Sequence, residues 1–210
     1  MKVLLVHGLW RTPFSFLLLN RQLRRWGDEP ELFGYAAVAQ RYDSILRRLV
    51  QRLEALAGQG PYAVIGHSLG GVFLRSALPL VAGPLPSHFI MLGVPNRPPR
   101  IAGMLGMRWL YRRLMGDSGA NLASPTFYSE LPVPAVPYTI VAGTAGPRGR
   151  WSPFGNELND GLVAVRETLV QDDDRVVLLP VSHTFIMNNV QVQAAIRQAL
   201  SHWASPCSSS

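Results

Sequence analysis

The stretch Tyr62-Ala63-Val64-Ile65-Gly66-His67-Ser68-Leu69-Gly70-Gly71 sets one nucleophilic side chain between glycines. A serine hydroxyl attacks an acyl carbon only when a base lies within hydrogen-bond reach, and that base needs a carboxylate to fix its tautomer and steady its cation. The G-x-S-x-G spacing suits such a nucleophile. Gly66 and Gly70 have no Cβ and so permit a sharp strand-to-helix turn, which lifts the Ser68 oxygen clear of a sheet and aims the Leu69 backbone N–H at the same point. The plainer reading is a glycine-rich turn that caps a helix. The flanks argue against it, since an apolar run enters over 62–65 and Val72, Phe73, Leu74, Ala77 and Leu78 mark a buried helix beyond.

The remaining elements must bring a base and an acid to this turn. Residues 2–6 are an apolar β-run, followed at once by His7-Gly8-Leu9-Trp10. Thr12-Pro13 predicts a helix start with Thr12 as N-cap, and Phe16, Leu19, Leu23 and Trp26 recur at helical spacing until Gly27. A short strand is expected over 31–36. Asp43 is the expected cap of a helix whose stripe is Ile45, Leu49, Leu53 and Leu56, closed by Gly58. Strands are expected over 88–95, 136–143 and 175–181, then an amphipathic helix over 190–203. Strands alternating with helices specify an α/β chain with a parallel sheet, helices on both faces and right-handed crossovers. Ligands then bind outside the carboxyl ends of the strands. His88 begins its strand, at the end away from that edge, and reads as structural. His7 reads as a brace for its own loop.

The elbow, His7-Gly8 after the first strand, Leu92-Gly93-Val94-Pro95-Asn96 after a later one and Asn159-Asp160-Gly161-Leu162-Val163 before the last together resemble the α/β-hydrolase family, in its small lipase and esterase branch. The resemblance runs from 3 to 189 and is diffuse between the motifs. It implies an α/β-hydrolase fold: a mostly parallel central sheet, helices on both faces and a lid-like insertion, in a single domain over 1–204. It also implies the chain order nucleophile, acid, histidine. After Ser68 the histidines are His88, His183 and His202. His183, just past the last strand, fits the base, whereas His202 lies in the terminal helix. Asp160, in a segment similar to the lipase N-D-G-x-V, is the implied acid. Glu157 and the cluster Asp172-Asp173-Asp174 are its rivals, the cluster resembling a solvated turn at the entry end of a strand. The amide of Leu9 is the implied partner of the Leu69 amide in an oxyanion hole, where each donor is worth about 3 kcal/mol. Trp10 is a candidate substrate contact. Calcium-dependent bacterial lipases carry a carboxylate shortly after the histidine, but here Thr184-Phe185-Ile186-Met187 follows, so no metal is expected. Without a P-loop or dinucleotide fingerprint, no cofactor is implied.

The expected function is hydrolysis of carboxylic esters, of lipid or other apolar acyl groups. The alternatives are acyl transfer or thioester cleavage by the same three residues, or a non-catalytic binding protein on the same fold. Residues 97–131 are the expected lid or cap. If 101–115 is helical, Met104, Met107, Leu110, Tyr111 and Leu114 share one side as candidate substrate contacts, with Arg108 and Arg112 beside them; a fixed helix covering core is the plainer reading. The 210 residues, 48% hydrophobic, suit one domain of ordinary size. The net charge of +7 is almost wholly arginine, Lys2 being the only lysine. Such a surface is simply solvated or is drawn to anionic lipid head groups, and no nucleic-acid motif accompanies it. Met1 leads straight into the first strand and no apolar run nears twenty residues, so a cytoplasmic location is expected, peripheral to a membrane at most. The segment 205–210, with the lone Cys207, is an expected disordered tail.

Overall fold

Near-continuous Val, Ile and Leu runs are what strands covered on both faces require. Three segments have them: β1 (Lys2–Val6), β3 (Tyr62–His67) and β4 (His88–Leu92). A computed structural model describes residues 1–9, 11–37, 39–103 and 125–204. Trp10, the stripe Met104, Met107, Leu110, Tyr111 and Leu114, and the tail 205–210 lie outside the described residues.

With β2 (Glu29–Phe33), β5 (Tyr138–Gly143) and β6 (Val176–Leu179), these strands form a six-stranded sheet in the order β2-β1-β3-β4-β5-β6. Every neighbouring pair is parallel, as the alternation of strands and helices requires. The chain runs outward from β1 to β2 and then returns past β1 to β3, so the winding direction reverses between β1 and β3. In open parallel sheets the ligand crevice lies outside the carboxyl ends at such a switch point. Val6 pairs with Gly66, which brings Gly8 and Ser68 out of the sheet side by side.

Alternation along the strands divides the core into two layers. Leu4, Val6, Val64, Phe89 and Met91 pack with Ile45, Leu49, Leu53 and Leu56 of α2 (Tyr42–Ala57) and with Val72 and Phe73 of α3 (Leu69–Ala77). Val3, Leu5, Ala63, Ile65, Ile90 and Leu92 face the other way, against Leu19 and Leu23 of α1 (Leu17–Arg25) and Val192, Ile196 and Leu200 of α6 (Val190–Ala204). Each of these buried aliphatic side chains contributes about 2 kcal/mol relative to exposure. Between β4 and β5 the described residues hold the short helices α4 (Arg100–Gly103) and α5 (Pro125–Glu130).

Several local expectations shift. The second strand covers 29–33 rather than 31–36, because pairing starts at Lys2 opposite Glu29 and the chain beyond Phe33 turns to bring Tyr35 against His7. Thr12 stands at the N-cap before Pro13, as expected, but its side chain makes no capping hydrogen bond and the turn it opens, Pro13–Phe16, is a 3-10 turn that leads into α1. Asp43 is not the cap of α2 either. The helix begins at Tyr42 with Arg41 at its N-cap, and Asp43 lies in the first turn, where its charge favours the helix dipole. The fourth strand stops at Leu92, since Gly93 has a φ of 55°.

His88 is buried at the start of β4, its Nε2 2.8 Å from Thr139 Oγ1. Burial lowers its pKa from the ordinary 6.5 to about 4, and burial also lowers that of His7. Below pH 6.5 the unfolded chain therefore binds protons that the folded protein refuses, so this stabilisation is complete above pH 6.5 and is lost as pH falls toward 4. Thermal melts should give a Tm that is level near neutrality and declines through that window. The decline should be shallower in His88→Gln.

Candidate functional site

Ser68 leaves β3 with φ 51° and ψ −126°, the positive-φ non-glycine residue among those described. Such a conformation costs about 1–3 kcal/mol and persists only where its surroundings over-determine it. They do so here through two backbone bonds, Ser68 N–H to Leu92 O at 3.0 Å and Gly71 N–H to Ser68 O at 3.0 Å. The glycines let α3 approach closely. A Cβ on Gly70 would lie 2.2 Å from Val6 O, and one on Gly66 2.5 Å from Gly71 Cα. The Leu69 amide, at the N-terminal end of α3, and the Leu9 amide have no acceptor among the described residues.

The loop after β1 is held by aromatic and polar contacts. His7 Nδ1 donates to Gly8 O at 2.8 Å, because a carbonyl can only accept. The Tyr35 hydroxyl donates to His7 O at 2.6 Å, and the two rings stack with centroids 4.3 Å apart. Burial pushes the Tyr35 hydroxyl far above its usual range, so it stays a donor. His7 is therefore a brace for the loop that carries Leu9.

His183 opens a 3-10 turn, His183–Asn188, beyond β6. Its Nδ1 lies 2.7 Å from Asp160 Oδ2, and its backbone N–H donates to Asp160 O at 2.9 Å. The other oxygen, Asp160 Oδ1, accepts from the amides of Leu162 at 3.0 Å and Val163 at 2.8 Å. Asn159 locks the preceding excursion, donating to Pro147 O and Glu157 O and accepting from Gly161 N. The rival carboxylates are engaged elsewhere. Glu157 pairs with Arg100 and Arg166, Asp172 with Arg97, and Asp174 accepts from Tyr138 and from the amides of Val170 and Gln171. His202 is on α6.

Gly93 joins the two halves. Its neighbour Leu92 holds the Ser68 amide, and a Cβ on Gly93 would lie 3.0 Å from Asp160 Oδ2 and 3.2 Å from His183 Nδ1. The serine turn and the His183–Asp160 pair thus flank one short segment after β4. No Ser68 Oγ–His183 Nε2 hydrogen bond is among those formed by the described residues. Among the described residues no three His, Cys, Asp or Glu side chains converge on a point that could hold a metal ion.

Three residues here carried no role in the sequence reading. Tyr35 stacks on His7 from 28 positions away. His67, hidden as the variable position of the elbow, is buried beside His183. Arg75 of α3 is buried, and its guanidinium donates to Asn96 O and Oδ1, Leu131 O and Pro132 O. Burial lowers its pKa to about 10.

A sequence profile described as the alpha/beta hydrolase family matches residues 3–206. The chain belongs to the alpha/beta hydrolase family. No curated protein matches its sequence. Among solved structures this hydrolase-family chain is similar to the mature lipase BlEst2 of Bacillus licheniformis, at 18% identity and a TM-score of 0.68, covering 94% of this chain and 91% of that one. It is also similar to phospholipase PlaB of Legionella pneumophila (19%, TM-score 0.67, covering 97% of this chain and 58% of that one). The RedJ thioesterase of the prodiginine pathway in Streptomyces coelicolor matches at 16% and TM-score 0.60, covering 95% and 90%. At these identities the likeness is one of fold.

The elbow glycines of this alpha/beta hydrolase make a testable contrast. Gly70→Ala drives a Cβ into backbone that cannot yield and should destabilise by about 3 kcal/mol. Gly58→Ala meets only ordinary contacts at 3.7 and 3.8 Å in a right-handed conformation, and should stabilise by about 0.5–1 kcal/mol. Urea unfolding of the two variants measures both signs.

Proposed function

We propose that this chain is a serine hydrolase of carboxylic esters, acting on small-molecule substrates with lipid or other apolar acyl groups. The observation that carries the reading is the buried His183–Asp160 pair at 2.7 Å, across Gly93 from the strained Ser68. In this reading Ser68 attacks the ester carbonyl while His183 Nε2 takes its proton. Asp160 holds the imidazole in the tautomer whose bare nitrogen is Nε2 and stabilises the cation. The Leu9 and Leu69 amides receive the oxyanion. His183 then protonates the leaving alcohol and activates water to release the acid. The Oγ–Nε2 contact closes when the acyl group is seated, as catalytic hydrogen bonds of free enzymes commonly do.

Exposed apolar side chains support an apolar substrate. Phe14 and Leu18 follow β1, Leu162 is two residues after Asp160, and Phe185 is two residues after His183. Exposed Arg21, Arg24 and Arg25 on α1 favour contact with an anionic lipid surface, a term salt would screen. No helix among the described residues is long and apolar enough to cross a membrane, so such contact would be peripheral. Residues 97–131 are read as a cap within a single domain, its two ends tied to α3 through Arg75.

Rates on aryl esters of increasing acyl length test the reading, with product analysis in the presence of a competing alcohol to separate hydrolysis from transfer. Ser68→Ala should keep its Tm and lose about 10⁴-fold or more in kcat. A fluorophosphonate should label the wild type and not the variant. An unlabelled wild type would mean a binding protein instead.

Asp160→Asn should lower kcat by about 10³–10⁴-fold with the fold intact, because the imidazole loses its orienting carboxylate. Asp172→Asn with Asp173→Asn should stay within about threefold of the wild type. The opposite pattern in steady-state kinetics would assign the acid to the wrong carboxylate.

A further inference from the structure

His67 is wholly buried, yet burial is not what a histidine at this position is needed for. Its Nδ1 has no hydrogen-bond partner among the described residues, and leaving a buried polar atom unpaired costs about 1–3 kcal/mol. A leucine or phenylalanine would fill the space without that cost. What the imidazole adds is one donor. His67 Nε2 lies 3.1 Å from the backbone oxygen of His183, and since a carbonyl only accepts, Nε2 carries the proton.

The ring is also placed at a junction of three segments. It is the residue preceding Ser68, so the rigid peptide between them moves the two together. A Cβ on Gly8 would lie 2.9 Å from His67 Nδ1 and 2.9 Å from Ser68 Cβ, so the ring backs directly onto the loop after β1. On its far side its centroid is 4.9 Å from that of His183. Desolvation and the neighbouring His183, Arg11 and His7 all oppose a proton on Nδ1, which keeps the ring a neutral donor.

We propose that His67 is a positioning residue, which donates its Nε2–H to the His183 carbonyl and so holds the base in register with the nucleophile. The division of labour follows from the contacts. Asp160 fixes the tautomer and rotation of the His183 ring through Nδ1, and its own backbone oxygen accepts the His183 amide. Neither contact refers to the elbow. The His67 bond ties the same residue to the chain that bears Ser68, and a misplacement of about 1 Å between reacting groups can cost about 100-fold in rate. The inference rests on His183 being the base, as proposed above.

The test compares His67→Phe and His67→Met, which fill the space without a donor, with His67→Gln, whose Nε2 can stand where the imidazole Nε2 stands. Each is assayed for kcat and KM on a short-chain aryl ester, for the rate of fluorophosphonate labelling and for Tm. The Phe and Met variants should lose about 10- to 100-fold in kcat and labelling rate while KM stays within about twofold and Tm is level or higher. His67→Gln should recover to within about threefold of wild type. A merely structural role would lower Tm and would not be rescued by Gln. Wild-type kcat in either donor-less variant, or a Gln variant as slow as both of them, overturns the positioning role. A wild type inert toward esters and fluorophosphonate overturns the hydrolase reading itself, and this role with it.

Discussion

The close approach of α3 to the ends of β1 and β3 is the constraint on which the rest of this site depends. A helix can start directly above a parallel strand only if the turn between them is sharp, and the turn is sharp only if its flanking residues have no Cβ. Gly66, Gly70 and Gly71 meet that condition, with backbone atoms of Val6, His7 and Gly71 and the Val94 side chain occupying the volume a methyl group would need. The consequence is carried by Ser68, which takes the left-handed conformation that the turn imposes. Burial of two apolar layers on either side of the sheet is what holds that conformation in place, since the helix cannot retreat without uncovering Val72 and Phe73. Strain at one residue is thus balanced by packing at many.

The same helix anchors the excursion between β4 and β5. Arg75 lies two turns beyond Ser68 and meets Asn96, where the excursion leaves, and Leu131 and Pro132, where it returns. All of its acceptors are uncharged. A guanidinium can be buried on such terms because its planar fork offers several donors at once, each satisfied by a backbone oxygen or an amide oxygen. Asn96 completes the junction by donating to Thr168 O at 2.6 Å. The Ser68 turn and the stems of the segment that follows β4 are therefore parts of one hydrogen-bonded unit.

Legibility in the sequence followed the range of the interactions. The central strands could be read from unbroken apolar runs, because burial on both faces leaves a local signature, and their parallel direction from the alternation of strands with helices. The stripe Ile45, Leu49, Leu53 and Leu56 is buried as its spacing required. The proximity of Asp160 and His183, 23 residues apart, was legible only through the resemblance carried by Asn159-Asp160-Gly161, not through any spacing rule. The cap was misread at Asp43, where the choice between adjacent starting residues turns on fractions of a kilocalorie. Tyr35, His67 and Arg75 left no sequence signal. Their partners are 28, 116 and up to 57 residues distant, and nothing in the identity of a lone Tyr, His or Arg says that a distant carbonyl awaits it.

The buried histidines are separated by what each one faces. His7 donates to Gly8 O and His67 to His183 O, so each is held in one tautomer by a neutral oxygen. His88 meets a hydroxyl, that of Thr139. A carbonyl or hydroxyl partner fixes a proton on one nitrogen but does little to stabilise a second proton on the other, and burial lowers the pKa of all three. His183 faces a carboxylate, and that carboxylate is itself held by two amides at 3.0 and 2.8 Å. In the proposed mechanism that preorganised carboxylate is the group that would face an imidazolium formed during the reaction. A base must be able to become a cation and to lose that charge again within each turnover. Of the histidines whose side chains are described, His183 is the one that faces a carboxylate, and the proposed mechanism assigns the nitrogen left free by Asp160 to Ser68.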